Sequence, residues 1–311
     1  MDEVAILIPC YNEAITIKKV ISDIKDQVPM AHIYVYDNNS TDNTVAIAKS
    51  CGVDIRYCRK QGKGNVVRQM FLEIDAKCYV MVDGDDTYDV SNISKMIDSV
   101  LINQSDMVVG DRLSSTYFVE NKRLFHNSGN VLVRKLINSM FSSDIKDVMS
   151  GYRAFSYRFV KTFPVLSRGF EIETEMTIHA LDKNLNIDNI VCTYKDRPDG
   201  SISKLNTVSD GCRVLRTIMD LCRIYKPLQF FGFFAVLLFI FGTCFFIPVF
   251  VKYLDTGLVS KFPTLIVCCC AWMISVQSFF AGCILDVIHK RDLYDFEYKL
   301  SQVCSDFARY F

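Results

Sequence analysis

The stretch CYVMVDGDD, Cys78 to Asp86, decides the fold. Cys78 to Val82 are apolar on both faces, as in a strand buried inside a parallel sheet. Three carboxylates and a glycine follow at once, so the strand ends at a polar mouth. Working outward, VAILIPCY (4–11), HIYVYDN (32–38) and DIRYC (54–58) read as three more strands. Helical stretches separate them. Glu13 to Asp26 carries Ile17, Val20, Ile21 and Ile24 at helical spacing, the polar cluster after the second strand opens a helix at Asp42, and a third helix runs from Gly64 to Ile74. This alternation predicts a doubly wound, Rossmann-like α/β sheet with helices on both faces. Ligands in such sheets sit beyond the carboxyl ends of the strands. Pro9 to Glu13, Asp37 to Thr41 and Asp83 to Asp86 all fall there.

The residue types at that edge point to a nucleotide and a metal. Several carboxylates at one mouth repel one another unless a hard divalent cation neutralises them. A DxD alone serves equally well as an N-cap or a solvated loop, and Asp37 as a turn former. Lys63 sits in a GKG turn where a cation can approach a phosphate, and an exposed turn lysine is the equal alternative. Arg112 follows the apolar strand MVVG, while Arg123, Arg197 and Lys204 occupy polar stretches. Arginine suits phosphate through its bidentate, always-charged fork; an ordinary salt bridge is the alternative for each.

Two apolar runs, Phe230 to Val251 and Pro263 to Ile288, each have about the twenty residues that cross a hydrocarbon core. The first has no charged side chain, and the second only Asp286. Arg213, Arg216, Arg223 and Lys226 precede the pair and Lys290 and Arg291 follow it, so both termini are expected on the cytoplasmic side. The chain opens on an acidic pair and a strand-like run rather than a signal peptide. A hydrophobic hairpin buried in a soluble oligomer is the alternative. Thr207 to Tyr225 and residues 127–141 are amphipathic and read as interfacial helices, although 127–141 suits packing on the sheet nearly as well. The expected organisation is an α/β domain over 1–205, an interfacial helix over 206–226, two transmembrane helices within 227–289 and a cytoplasmic tail over 290–311. With 35 basic and 35 acidic residues, the chain has no net charge to recruit nucleic acid. Its 13 cysteines are scattered, five of them in the apolar runs, and no CxxC pair recurs at zinc spacing. They read as reduced, small apolar residues.

In combination the blocks are more specific. IPCYNE (8–13), DNNSTDNT (37–44), GKGNVVRQ (62–69) and VDGDDTYD (82–89), in this order, resemble family 2 glycosyltransferases with the GT-A fold. GDR (110–112), MSGYRAFS (149–156), GFEIETEM (169–176) and DRPDGSISKLN (196–206) look like the polyprenyl-phosphate branch, which includes dolichyl-phosphate mannose synthases and bactoprenol glucosyltransferases. The resemblance covers roughly residues 4–226, and the hairpin matches the bactoprenol subgroup. DGD stands where mannose synthases have DAD, which keeps both carboxylates. No QxxRW motif of processive synthases is present, which argues against polymer extrusion.

The resemblance implies roles. Pro9, Tyr11, Glu13, Asp37, Lys63 and Asp83 would bind the donor nucleotide, here a UDP-sugar. Asp83 and Asp85 would hold Mg2+ or Mn2+. Arg112, Arg123, Arg197 and Lys204 would clamp the acceptor phosphate. Glu171, Glu173 and Glu175 alternate in sequence, and Glu175 matches the position expected near the sugar. Asp83, Asp85, Arg112 and Glu175 are then the catalytic set. The implied acceptor is undecaprenyl or dolichyl phosphate, glycosylated with inversion at an inner (cytoplasmic) membrane for glycan or cell-envelope modification. A lipid monophosphate has its second pKa near about 6, so its oxygen needs no strong general base. A homotetramer and a flippase or downstream glycosyltransferase are the implied partners. A non-lipid or lipid-diphosphate-oligosaccharide acceptor, and an inactive scaffold, are the other classes.

Overall fold

The computed structural model describes residues 2–115, 124–169, 171–195, 219–259 and 261–310, with the backbone alone over 124–130 and at 310. The chain divides into one unit of Met1–Asp210 with Tyr298–Phe311 and a second of Gly211–Glu297.

The first unit is built on β1 (Asp2–Cys10), β2 (His32–Asp37), β3 (Asp54–Tyr57), β4 (Ala76–Met81), β5 (Met107–Asp111), β6 (Arg153–Ser156) and β7 (Ile187–Val191). They form one sheet in the order β3-β2-β1-β4-β6-β5-β7. The strands from β1 to β4 pair in parallel, as their apolar runs predict. β6 departs from the doubly wound expectation, since it lies antiparallel between β4 and β5. The departure has a use. β5 leaves the sheet at the carboxyl edge and β6 re-enters from that same edge, so residues 147–152 lie beside the end of β4.

Helices cover both faces. Along β1, Ile6, Ile8 and Cys10 point to one side and Ala5 and Leu7 to the other, the strand's period of two. The first side packs against α1 (Ile17–Gln27) and α4 (Ile93–Leu101) through Ile17, Ile21, Ile24, Ile93 and Met96. The second packs against α3 (Lys63–Glu73), α6 (Tyr157–Thr162) and α7 (Ile172–Asp182) through Val67, Met70, Phe159, Ile172 and Met176. Each fully buried side chain of this size contributes about 1.5–3 kcal/mol of transfer free energy. α1 starts at Ile17 rather than Glu13 because Asn12 adopts a left-handed φ of 56° and a turn intervenes. α2 is Thr44–Ser50. In α5 (Leu124–Phe141) Val133 and Ile137 are buried in the protein while Leu132 is exposed. Over 131–141, where side chains are described, that fits the packing alternative. Of the amphipathic stretch 207–225, only 219–225 lie within the described residues, and they are helical.

The second unit contains α8 (Pro227–Thr256) and the membrane-length part of α9 (Phe262–Tyr310), two helices long and apolar enough to cross a membrane. Its organisation is reversed relative to the first. Phe233, Phe234, Leu237, Ile240, Met273 and Phe280 are exposed, whereas Ala235, Gly242, Cys268, Ala271 and Ser275 are buried. Small residues let the backbones approach: a Cβ at Gly242 would come within 2.9 Å of the Trp272 ring. The Trp272 indole donates to Thr243 Oγ1 at 3.2 Å, and Ser275 and Ser278 donate to the carbonyls of Ala235 (2.7 Å) and Phe231 (3.1 Å). The polar groups bond inside the pair and its apolar groups face outward, which is the arrangement of helices that associate in lipid. α9 continues as one helix through the stretch expected as a tail.

Candidate active site

The carboxyl ends of β1, β2 and β4 each deliver an acidic group to one place. Glu13, Asp37, Asp83 and Asp85 all lie close enough to the buried Cys10 thiol to push its pKa up, after burial itself. Their supports come from the turns named in the sequence. Asp37 accepts from the Ser40 N–H through both oxygens, at 3.3 and 3.2 Å. The Asn12 side chain accepts from the Thr41 N–H at 2.7 Å, tying the first block to the second. The Glu13 N–H donates to Thr44 Oγ1 at 2.8 Å. Pro9 pairs with Tyr36 across β1 and β2, and Tyr11 is half-buried just beyond.

The DGDD run resolves into different environments. Asp83 keeps 24% of its side chain exposed. Asp85 is buried and accepts from the Thr87 N–H (3.2 Å) and hydroxyl (2.6 Å). Asp86 turns away to Lys19, at 2.7 Å. Thr16 pins the turn by donating to the Gly84 carbonyl at 2.6 Å. The two carboxylates of the DxD therefore stay at the centre while the third is drawn outward.

Lys63 is not the exposed turn lysine. Its side chain is 9% exposed, and its Nζ lies 2.5 Å from Asp83 and 2.7 Å from Glu173. Burial would lower its pKa, but the carboxylates of Asp83 and Glu173 more than reverse that and hold it raised. The glycines on either side have a steric reason. A Cβ at Gly62 would meet the Arg168 carbonyl oxygen at 2.2 Å, and one at Gly64 the Ser167 oxygen at 2.1 Å. Gly62 also has φ 126°, a backbone conformation that L side chains rarely adopt. Asn38 fixes the approach, accepting from the Gly62 N–H at 2.7 Å and donating to the carbonyls of Cys58 (3.0 Å) and Lys60 (2.9 Å).

Glu173, not Glu175, meets Asp83 through Lys63. Glu175 accepts instead from the N–H groups of Leu166 (3.2 Å) and Ser167 (2.9 Å), holding the segment that covers the GKG turn. The two residues share a helix, but only Glu173 is buried against the acidic centre. The alternation of three glutamates gave no signal to choose between them, because the choice depends on which face of α7 packs on the sheet.

Arg112 is held by a carboxylate. Its Nε and a terminal nitrogen donate to the two oxygens of Asp147 at 2.7 and 3.1 Å, and both residues are buried. Its guanidinium lies 5.9 Å from the Tyr88 ring and 5.6 Å from the Tyr194 ring. The Tyr88 hydroxyl accepts from the Gly151 N–H at 2.8 Å. Gly151 in turn is where space runs out: a Cβ there would lie 2.3 Å from Asp83 Oδ2 and 2.9 Å from Lys63 Nζ. Arg123, Arg197 and Lys204 lie outside the described residues.

Arg153 carries a role absent from the sequence expectation. Fully buried, it donates to the carbonyls of Ser150 (2.8 Å) and Val148 (2.6 Å) and to Thr177 Oγ1 (2.9 Å). Burial pulls its pKa down to about 10 against the opposing pull of Glu173 and Asp147. It thereby ties the loop that carries Asp147 and Gly151 to the helix that carries Glu173. Its place in MSGYR, two residues after Gly151, was the available signal.

This arrangement fits a hard divalent cation on chemical grounds, since it offers carboxylate oxygens and already holds a cationic ammonium among them. Residues 5–163 match the description "Glycosyl transferase family 2". Glycosyltransferase AglJ of Haloferax volcanii is 35% identical over 232 residues, covering 74% of this chain and 76% of that protein. The dolichyl-phosphate hexose transferase of the same organism is 26% identical over 222 residues, covering 71% of this chain and 94% of that protein. Glucosyl-3-phosphoglycerate synthase from Mycobacterium tuberculosis, solved with Mn2+, UDP and glucosyl-3-phosphoglycerate, superposes with a TM-score of 0.55. The match has 18% identity over 71% of this chain and 79% of that one, and shows a shared GT-A fold.

Proposed function

The chain belongs to glycosyl transferase family 2, and on that premise we propose that it moves a hexose from a nucleotide sugar, a UDP-sugar, to a polyprenyl phosphate with inversion. One observation carries the proposal. The acidic centre at the ends of β1, β2 and β4 is joined in one chain to a pair of helices whose apolar side chains face outward. A water-soluble acceptor needs no such pair, whereas a lipid phosphate is delivered at a membrane surface. The kinship with a dolichyl-phosphate hexose transferase supports the same acceptor class.

Asp37 and Glu13, with Pro9 and Tyr11, border the nucleoside side of the cleft. Asp83 and Asp85 would hold Mg2+ or Mn2+, which would neutralise charge on the departing diphosphate. Lys63 adds a fixed positive charge from the protein, kept protonated by its carboxylate partners. The acceptor phosphate is already largely dianionic near neutral pH. The protein's task is therefore to hold two anions in line rather than to remove a proton. Arg112, neutralised by Asp147, forms a wall with Tyr88 and Tyr194, and the direct phosphate contacts fall to Arg123, Arg197 and Lys204. Lys and Arg flanking both apolar helices support a cytoplasmic catalytic unit.

The test is partition of labelled product. The full chain in detergent is incubated with undecaprenyl phosphate, Mn2+ and a panel of labelled nucleotide sugars. Label passing into organic solvent, with the mass of a polyprenyl monophosphosugar, is the expected result. Label that stays wholly in the aqueous phase with turnover intact would move the acceptor to a non-lipid class.

A further inference from the structure

Lys63 has two carboxylate partners where one would neutralise it. Its Nζ lies between Asp83 Oδ1 at 2.5 Å and Glu173 Oε1 at 2.7 Å, and Glu173 keeps only 6% of its side chain exposed. The three groups come from α3, the end of β4 and α7, so no local turn explains their meeting. The neighbouring backbone is shaped to permit it. Gly151 leaves the space that a Cβ would take from Asp83 Oδ2 and Lys63 Nζ, at 2.3 and 2.9 Å. Arg153 bonds the loop carrying Gly151 and reaches Thr177, one turn beyond Glu173 on the same helix.

Of the two partners, Asp83 is the more exposed and belongs to the proposed metal pair; Glu173 is the buried one. If Asp83 alone held Lys63, engaging a metal through Asp83 would strand an ammonium in a nearly closed site, which is strongly unfavourable. A second carboxylate removes that difficulty. We propose that Glu173 is a positioning residue that keeps the Lys63 ammonium paired while Asp83 exchanges it for the divalent cation of the donor complex. Lys63 is then an internal counter-ion that holds the site together before the donor arrives, and stays beside the diphosphate afterwards. The inference rests on the donor-site reading given above and adds Glu173 to it.

The proposal predicts opposite effects on metal affinity for the two partners of one contact. Mn2+ binding to the full chain is followed by electron paramagnetic resonance, without donor and then with UDP. Lys63→Met should tighten Mn2+ binding without donor about tenfold, because no ammonium then competes for Asp83. Glu173→Gln should weaken Mn2+ binding with UDP about tenfold, because Lys63 stays on Asp83, and the Mn2+ concentration that half-saturates turnover should rise equally. Glu173→Asp, which keeps the charge, should recover most of the loss and stands in if the glutamine variant fails to fold. A merely structural Glu173 would lower thermal stability without moving the Mn2+ requirement. Unchanged Mn2+ binding in folded Lys63→Met and Glu173→Gln overturns the inference and leaves the donor site standing. A parent chain that binds no Mn2+ and turns over in EDTA overturns the metal assignment, and the inference with it.

Discussion

Lys63 and Arg112 are both cations buried at the same edge of one sheet, and they are held in opposite ways. Arg112 meets the carboxylate of Asp147 fork to fork, with the rings of Tyr88 and Tyr194, themselves in contact, near its guanidinium. That pair is balanced in charge and matched in geometry, so it closes on itself. Lys63 meets two carboxyl groups, Asp83 and Glu173. An ammonium is a point charge on a flexible stem and can change partners without losing a preferred geometry. The difference separates a wall from an exchangeable centre. Residue type marks Arg112 as a phosphate-binding candidate, and the structure adds that Asp147 engages its fork.

The comparison can be broken most directly at the closed pair. Arg112→Ala leaves Asp147 as a buried carboxylate without its fork, and should lower stability by about 3–5 kcal/mol in denaturant unfolding. A well-folded variant with near-parental stability would mean that the pair is not closed, and would return Arg112 to the acceptor phosphate. Asp85→Asn tests the open centre. Turnover should fall by about 10²–10³-fold, or roughly 2.7–4 kcal/mol of barrier, with the fold retained. Full activity in that variant would remove the metal assignment.

Gly151→Ala joins the two regions, because residue 151 bonds Tyr88 on the Arg112 side and crowds Asp83 on the other. The added methyl should cost about 1–3 kcal/mol of strain. It should raise the donor KM while every charge stays in place; an unchanged donor KM would mean that the backbone gives way freely at this point. The smallest effect belongs outside the sheet. Ser275→Ala removes one hydroxyl bond between the apolar helices and should lower their association by only about 0.6 kcal/mol, read by unfolding in mixed micelles. A loss of several kcal/mol would make that bond central to the pair rather than one of several.

Much of this was legible in the residues. The runs at 4–11, 32–38, 54–58 and 78–82 announced four strands; 78–82 is apolar throughout, as a strand buried on both faces has to be, whereas 54–58 is the exposed edge strand. The polar turns after them announced the mouth, and Asp37, Asp83, Asp85 and Glu13 do converge there. β6 was not legible. RAFS is short, and nothing local says that it runs antiparallel between β4 and β5. Its direction decides that Asp147, Gly151 and Arg153 reach the site at all.

The sequence by itself determined whatever depends on local periodicity and length: the α/β alternation, the acidic strand ends, and two helices long and apolar enough to cross a membrane. Those properties act through the nearest few residues and through solvent. The tertiary structure alone decided pairing. Whether Lys63 is exposed or buried, whether Glu173 or Glu175 faces the centre, and which carboxylate Arg112 meets all depend on segments up to 110 residues apart brought within 3 Å. Burial makes those choices binding, because a charge removed from water has to take the partner that the packed chain places beside it.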